Sequence, residues 1–216
     1  MLPTLLLLPL AWPYASPANL SQQQSEEQLK QQKEREWALQ ESDDNLATFT
    51  RLREGSALVE ARHVATTPVR MGRVLAEIGD GSQCVAWMQR CKTAEILQRE
   101  DENNYLGYVV LNMPWPLSDR DLVYRSKRVQ GARHSLVIEQ EAEPAAHPET
   151  RLVRMLSSNR FILTPKDDGG TRIIWEVFSD PRGNVKPKMV NGRIHKDTRE
   201  DMKHLLKLLE TKYADK

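Results

Sequence analysis

The sequence is short of cysteine and of net charge, and each shortage removes a class of function. Two cysteines among 216 residues are too few for a disulfide-framed scaffold or a four-thiolate zinc site. Thirty-one basic side chains stand against thirty acidic ones, for a formal net charge of +1, so no bulk positive potential exists to hold a nucleic acid. The five histidines, His63, His134, His147, His195 and His204, are scattered. None forms the i, i+4 pair with an intervening Glu that a helical zinc site uses. No GxSxG elbow, P-loop or GxGxxG run occurs, so hydrolysis through that elbow and phosphate cradling through those loops lack their marks. The residues require no cofactor and identify no catalytic or metal-ligating set.

Long apolar runs are also scarce, except at the front. Residues 1–18 are Leu-rich and end in small residues, with Ser16 and Ala18 ahead of a cleavage point. This reads as an export signal, although no Lys or Arg precedes it. Pro3, Pro9, Pro13 and Pro17 interrupt a run that barely reaches the ~20 residues a bilayer requires, which disfavours a permanent anchor. The expected location is therefore the periplasm or the exterior. Residues 19–36 are dominated by Gln, Ser, Glu and Lys and read as an exposed helix or linker. Residues 37–213 are long enough for one sizeable core. A first domain helix is expected from Glu34 to Asp44, where Asp43-Asp44-Asn45 breaks it.

Period-two alternation predicts strands over 46–52, 58–65, 92–100, 104–113, 121–129, 134–143, 152–163 and 171–179, most of them separated by Gly, Asn, Asp or Pro. Thr67-Pro68 opens a helical pattern that ends at Gly79, with Val69, Val74, Leu75 and Ile78 on its apolar side. Val190, Ile194, Thr198, Met202, Leu205 and Leu209 recur at steps of three and four, predicting one amphipathic helix of about seven turns over 186–213. Cys84 and Cys91 bracket Trp87 with six residues between them, too far apart for a CxxC motif. In an oxidising compartment they could staple this connection for roughly 2.5 kcal/mol. The alternative is a pair of buried free thiols.

Between two strand patterns lies Met113-Pro114-Trp115-Pro116-Leu117-Ser118-Asp119-Arg120-Asp121. Its prolines suit a rigid corner in which Ser118 or Asp119 caps a single helical turn. The segment resembles the PWP-S-DRD signature of START domains, the lipid-transfer modules related to the steroidogenic acute regulatory protein. Trp87 before a strand, the run Trp175-Glu176-Val177-Phe178-Ser179-Asp180-Pro181-Arg182-Gly183 and the long terminal helix extend the likeness from about Trp37 to Leu209. The chain is similar to exported, bacterial-type members.

The resemblance implies an α+β helix-grip fold, a curved antiparallel sheet of about eight strands around the C-terminal helix, with an internal cavity for one lipid. Alternation sets the inward rows: Val109, Leu111 and Met113; Leu122, Tyr124 and Ser126; Met155, Ser157, Asn159, Phe161 and Leu163; Ile173, Trp175 and Val177. Tyr124, Ser126, Ser157 and Asn159 are the polar groups able to select a head group. Met155, Phe161 and Trp175 could equally be plain core. Met189, Val190 and Ile194 fall where the family places its lid. Arg120 and Asp121 read as a structural ion pair or cap.

The position of a cavity arginine in sterol-carrying relatives falls at Ser126 and its acidic partner near Gly107, which weighs against a sterol. Apolar walls leave a fatty acid, a phospholipid, a triterpene or a polyketide open. The expectation is non-catalytic binding, with transfer, of one hydrophobic molecule by a monomer. Lys186, Lys188, Arg193 and Lys196 could touch anionic lipid head groups in passing, or simply end a solvated helix. A cyclase-like enzyme using the same cavity, or an interaction module docking through the Gln-rich segment, are the alternatives.

Overall fold

Ile173, Trp175 and Val177 alternate with Arg172 and Glu176, and a strand sends such neighbours to opposite faces. A computed structural model describes residues 36–213, so the export-signal and linker expectations lie outside the described residues. In it the apolar three are at most 4% exposed, while Glu176 accepts from Arg62 across the outer face at 2.9 Å.

The described residues form ten strands: β1 (Ala38–Ser42), β2 (Leu46–Leu52), β3 (Val59–Thr67), β4 (Cys91–Arg99), β5 (Asn104–Leu111), β6 (Arg120–Gln130), β7 (Leu136–Ala142), β8 (Val153–Arg154), β9 (Leu156–Pro165) and β10 (Thr171–Asp180). Helices are α1 (Met71–Ile78), α2 (Pro187–Asn191) and α3 (Ile194–Tyr213), with a 3-10 segment at Gly81–Ala86 and a short one at Pro144–Ala146. The sheet runs β1-β2-β3-β10-β9-β7-β6-β5-β4, antiparallel throughout, with β8 added parallel to the start of β6. Its centre is the β9–β10 hairpin, in which Phe161 pairs with Trp175. Gly169 closes that hairpin at a φ of +86°, a left-handed conformation that favours glycine.

The curved antiparallel sheet with a gripping C-terminal helix is the expected fold, with ten strands instead of eight. Three local expectations fail for tertiary reasons. The described part of the helix expected over Glu34 to Asp44 holds edge strand β1 instead, since Arg199 of α3 reaches Glu41 at 3.1 Å and Asp43 at 2.7 Å and holds the segment against β2. The strand over 152–163 is split into β8 and β9, because Arg154 turns aside to Asp121 while the Met155 amide donates to the Asp121 carbonyl at 2.9 Å. The terminal helix is broken at Gly192. There the Asn191 side chain accepts from the Val59 amide at 2.9 Å and donates to the Ala57 carbonyl at 3.0 Å, pinning the end of α2 to the β2–β3 turn.

The corner at 113–119 also lacks its helical turn. It is a turn with a cis Trp115–Pro116 bond and a Leu117 amide donating to the Pro114 carbonyl at 3.0 Å. Ser118 does not cap; its carbonyl and hydroxyl accept from Arg120 at 2.5 and 3.0 Å.

Buried apolar side chains fall into two groups. One packs α1 and α3 onto the sheet through Val74, Met202, Leu205, Leu209 and Trp175. The other joins Cys84, Cys91, Tyr105, Val109, Leu122, Tyr124 and Met155. Met88 packs against both and is where the two groups meet.

Candidate functional site

A cavity of about 230 Å³ takes its lining from both groups. That volume is far above the roughly 10–15 Å³ needed to admit one water. The sheet supplies Val109, Leu111 and Met113 from β5 and its end, Leu122 and Tyr124 from β6, Met155 from between β8 and β9, Ser157, Asn159 and Phe161 from β9, and Trp175 and Val177 from β10. Met189, Val190 and Ile194 close it from α2 and the start of α3. Fourteen of the fifteen side chains expected around a ligand therefore line one space. Ser126 does not: it is buried, one pleat beyond Tyr124.

The closed end explains why. The Tyr124 ring lies across Gly107, its partner in the β5–β6 ladder, where a Cβ would sit 2.4 Å from the ring. A second ring, Tyr105, meets it edge to face at 6.0 Å. The Tyr105 hydroxyl accepts from the Gly81 amide at 2.9 Å, and a Cβ on Gly81 would overlap the Tyr124 oxygen. Two bare α-carbons thus make room for a tyrosine plug, and Ser126 lies behind it. Burial, then the nearby Tyr105 and Asp80, push the Tyr124 phenol above its usual value, so it stays a neutral donor or acceptor.

Polar groups on the sheet side are few and mostly occupied. Ser157 donates to the Phe178 carbonyl at 2.7 Å. Asn159 Oδ1 accepts from Trp175 Nε1 at 3.0 Å, which fixes the amide's orientation and leaves its NH2 without a partner among the described residues. Phe161 and Trp175 are stacked at 5.3 Å, and Trp87 stands edge-on to both.

The wall facing the sheet is the connection from the 3-10 segment to β4. Cys84 and Cys91 form a disulfide across it, and Cys84, Trp87, Met88 and Arg90 line the cavity. Arg90 donates to Asp197 of α3 at 3.0 Å, while the Gln89 amide donates to Asp201 Oδ1 at 2.9 Å. Burial pushes the Asp201 carboxyl up to about 6.

Behind Trp175 lies a buried relay. Arg199 Nη1 donates to Thr48 Oγ1 at 2.7 Å, and that hydroxyl is 3.0 Å from His63 Nδ1. His63 Nε2 is 2.7 Å from Thr198 Oγ1, whose own proton goes to the Ile194 carbonyl at 2.6 Å. Donor counting assigns one arrangement: Nε2 carries the proton and Nδ1 accepts from Thr48. A second proton on His63 would force the Thr48 hydroxyl to turn its own proton away and accept beside the Arg199 bond. Burial, then the charge of Arg199 and of His195, hold His63 down at about 3. The relay orients Thr198, which lines the cavity, and backs Trp175 at 5.4 Å.

Arg120 and Asp121 do not pair with each other and do not line the cavity. Arg120 donates to the Pro181 carbonyl at 2.8 Å, tying the corner to the end of β10. Asp121 takes two bonds from Arg154, at 3.1 and 2.8 Å, and one from Thr150 at 2.9 Å. Arg154 in turn binds the carbonyls of Pro144, His147 and Pro148, closing the 143–154 excursion on itself.

The cavity reaches the surface beside Trp115, which lines it while 92% exposed, and Met189, which lines it while 44% exposed. Sequence reasoning missed Trp115, Arg90, Asp197 and Asp201. The last had a signal: Ile194, Thr198, Asp201 and Leu205 follow steps of four, three and four, so a carboxylate sits on the inward stripe. Among the described residues no set of three or more His, Cys, Asp or Glu could hold a metal, and no helix is long and apolar enough to cross a membrane.

Comparison with known proteins agrees with this geometry. An uncharacterized protein of Pseudomonas aeruginosa is 22% identical over 161 residues, covering 73% of this chain and 78% of that protein. The phosphatidylcholine transfer protein of Mus musculus is 27% identical over 111 residues, 49% of this chain and 51% of that protein. Among solved structures, a STAR-related lipid transfer protein fragment from Xanthomonas axonopodis has a TM-score of 0.74 at 23% identity, covering 81% of this chain and 98% of the fragment. Human StAR-related lipid transfer protein 5 also has a TM-score of 0.74, at 15% identity, covering 91% and 97%. These likenesses establish the fold. The START domain family model matches residues 19–214, and the chain belongs to the START domain family.

Proposed function

We propose that the chain binds one hydrophobic molecule in its cavity and carries it between surfaces without altering it. The observation that carries this reading is the apolar space of about 230 Å³ lined by side chains of both apolar clusters. Burying a dozen methylenes there contributes about 10 kcal/mol before the costs of ordering are subtracted. The fourteen lining side chains named above are the binding residues in this reading. Tyr124, Ser157 and Asn159 are the polar contacts on the sheet side. The names of the relatives, lipid transfer proteins among them, favour a lipid.

Carriage without chemistry follows from the side chains. The Tyr124 phenol is held neutral, and Thr198, the lining hydroxyl that meets an imidazole, faces the protonated Nε2 of His63 and gives its own proton to the Ile194 carbonyl, so it is not activated as a nucleophile. Exposed Trp115 and Met189 beside the mouth, with Lys186, Lys188, Arg193 and Lys196 nearby in sequence, favour brief contact with an anionic membrane surface during loading. The Cys84–Cys91 disulfide and the Leu-rich residues 1–18 favour an exported protein in an oxidising compartment. Native mass spectrometry of protein purified from its own compartment tests the reading. A monomer with one lipid bound is expected. Protein that arrives empty and takes up no acyl chain from vesicles refutes it.

A further inference from the structure

Four carboxylates line the cavity: Glu77, Asp80, Asp197 and Asp201. Three have a cation within ion-pair distance: Glu77 with Lys212 at 2.8 Å, Asp80 with Arg99 at 3.3 Å, and Asp197 with Arg90 at 3.0 Å. Asp201 has none among the described residues, although it is only 5% exposed. Its Oδ1 accepts from the Gln89 amide. Its Oδ2 has no hydrogen-bond partner among the described residues. A carboxylate oxygen left without a donor in a largely buried residue is costly, and Oδ2, which is not among the sealed polar atoms, calls for a donor from whatever fills the cavity. The backbone bond from Gln89 satisfies half of the carboxylate; the other half is what a purely structural cap would not require.

We propose that Asp201 is the specificity-determining anchor of the cavity, accepting from an ammonium or hydroxyl on the polar end of the cargo and rejecting a lipid that ends in a carboxylate. The inference rests on the carrier reading and adds the chemistry of the head group. A cationic head supplies both the missing hydrogen bond and the missing counter-charge. A hydroxyl supplies only the bond. A carboxylate supplies neither and sets like charges together in a space of low dielectric. The burial that raises the free acid supports the same order, because an ammonium beside Asp201 would restore its ionised form. Facing it are Asp197 and His204 from α3 and Arg90 from the opposite wall. Arg90 is engaged by Asp197.

The test uses the full disulfide-bonded protein and three probes of equal chain length: dodecylammonium, dodecanol and dodecanoate, titrated calorimetrically at pH 7.5. Wild type should bind them in that order. Asp201→Asn keeps an oxygen for the Gln89 amide, so the wall stays in place while the charge is lost. It should weaken dodecylammonium about tenfold to a hundredfold, leave dodecanol within about threefold, and strengthen dodecanoate. A uniform loss for all three probes assigns Asp201 a structural role only and overturns the inference while leaving the carrier reading intact. Failure of wild type to bind any of them overturns both. Should the variant not fold, the native protein answers the same question. Its dodecylammonium affinity should fall on acidification from pH 7.5 to pH 5 while its dodecanol affinity holds, and parallel behaviour of the two refutes the anchor.

Discussion

Replacing His63 by Gln should change how the fold responds to acid more than it changes the fold at neutral pH. A second proton on His63 would place charge in a buried site beside Arg199 and force the Thr48 hydroxyl to turn, and its value is about 3 against an ordinary 6.5. Above pH 6.5 neither state is protonated there and the group contributes nothing to the pH dependence. Below it the unfolded chain takes up a proton that the native state refuses, so stability is lost as pH falls, until the native histidine also titrates near 3. Each pH unit in that window is worth about 1.4 kcal/mol. By pH 5 the loss is therefore about 2 kcal/mol, and by pH 4 it is about 3 to 4 kcal/mol.

Asp201 acts in the opposite sense. Its folded value, about 6, lies above the ordinary 3.8, so the native state binds the extra proton and has gained roughly 1.4 kcal/mol by pH 5. The two groups largely cancel in wild type, and the single variant separates them. Urea unfolding followed by tryptophan fluorescence at pH 7, 6 and 5 measures the effect. The difference between variant and wild type should move by about 2 kcal/mol in the variant's favour over that range. At pH 7 the variant should be about 1–3 kcal/mol less stable, from its imperfect replacement of two buried bonds. Parallel pH profiles for the two proteins would refute the relay and the tautomer assigned to it.

Four further outcomes follow from the same contacts. Val109→Trp fills the space against Leu122 and should reduce acyl-chain uptake more than tenfold at nearly unchanged far-UV circular dichroism; unchanged uptake contradicts the face assignment. Changing Cys84 and Cys91 together to Ser should lower stability by about 2.5 kcal/mol, the value for so short a loop, read as a shifted urea midpoint. Arg154→Met leaves Asp121 buried without its partner and should cost about 3–5 kcal/mol without altering the relative affinities of bound lipids. Trp115→Ala removes an exposed side chain and should slow lipid transfer between vesicles while leaving the thermal midpoint in place.

The elements legible in the sequence are those whose pattern repeats. Rows such as Ser157, Asn159, Phe161 and Leu163 keep their period of two within the ten residues of β9, and the inward face follows without knowledge of the partner strand. The stretch Glu34 to Asp44 is different. Its helix formers carry a weak propensity, and two ion pairs from Arg199, distant in sequence, outweigh it. The break at Gly192 is a similar case, because a helical repeat continues through it and only the bonds from Asn191 to the β2–β3 turn mark the end of α2. Ser126 shared the period of Tyr124 but not its surroundings. Whether a side chain on an inward row meets a cavity depends on what stands across from it, here a tyrosine plug admitted by Gly81 and Gly107. The pairing of Cys84 with Cys91 was open for the same reason: spacing permits a bridge, and only the path of the chain brings Cys84 next to Cys91.

The persistence of the cavity needs its own explanation, since apolar walls facing one another ordinarily close to interior packing density. Here the helical wall is fixed by polar contacts that specify distance. Asn191 holds α2 to the β2–β3 turn, Arg199 and Thr198 tie α3 to β1, β2 and His63, Asp201 ties it to Gln89, and Glu77 receives Lys212 and Tyr213 at its far end. Burial works against ionisation of Glu77, yet the bonds from Lys212 and Tyr213 outweigh it and hold the carboxyl below its usual value. Hydrogen bonds are short-ranged and directional, so these contacts resist the inward slide of α3 that would collapse the space. The apolar lining then gains its burial from a guest instead of from the opposite wall. On this argument the groups that keep the cavity open are separate from those that fill it. Loosening a polar contact should lower stability and affinity together, whereas enlarging a lining residue should lower affinity alone.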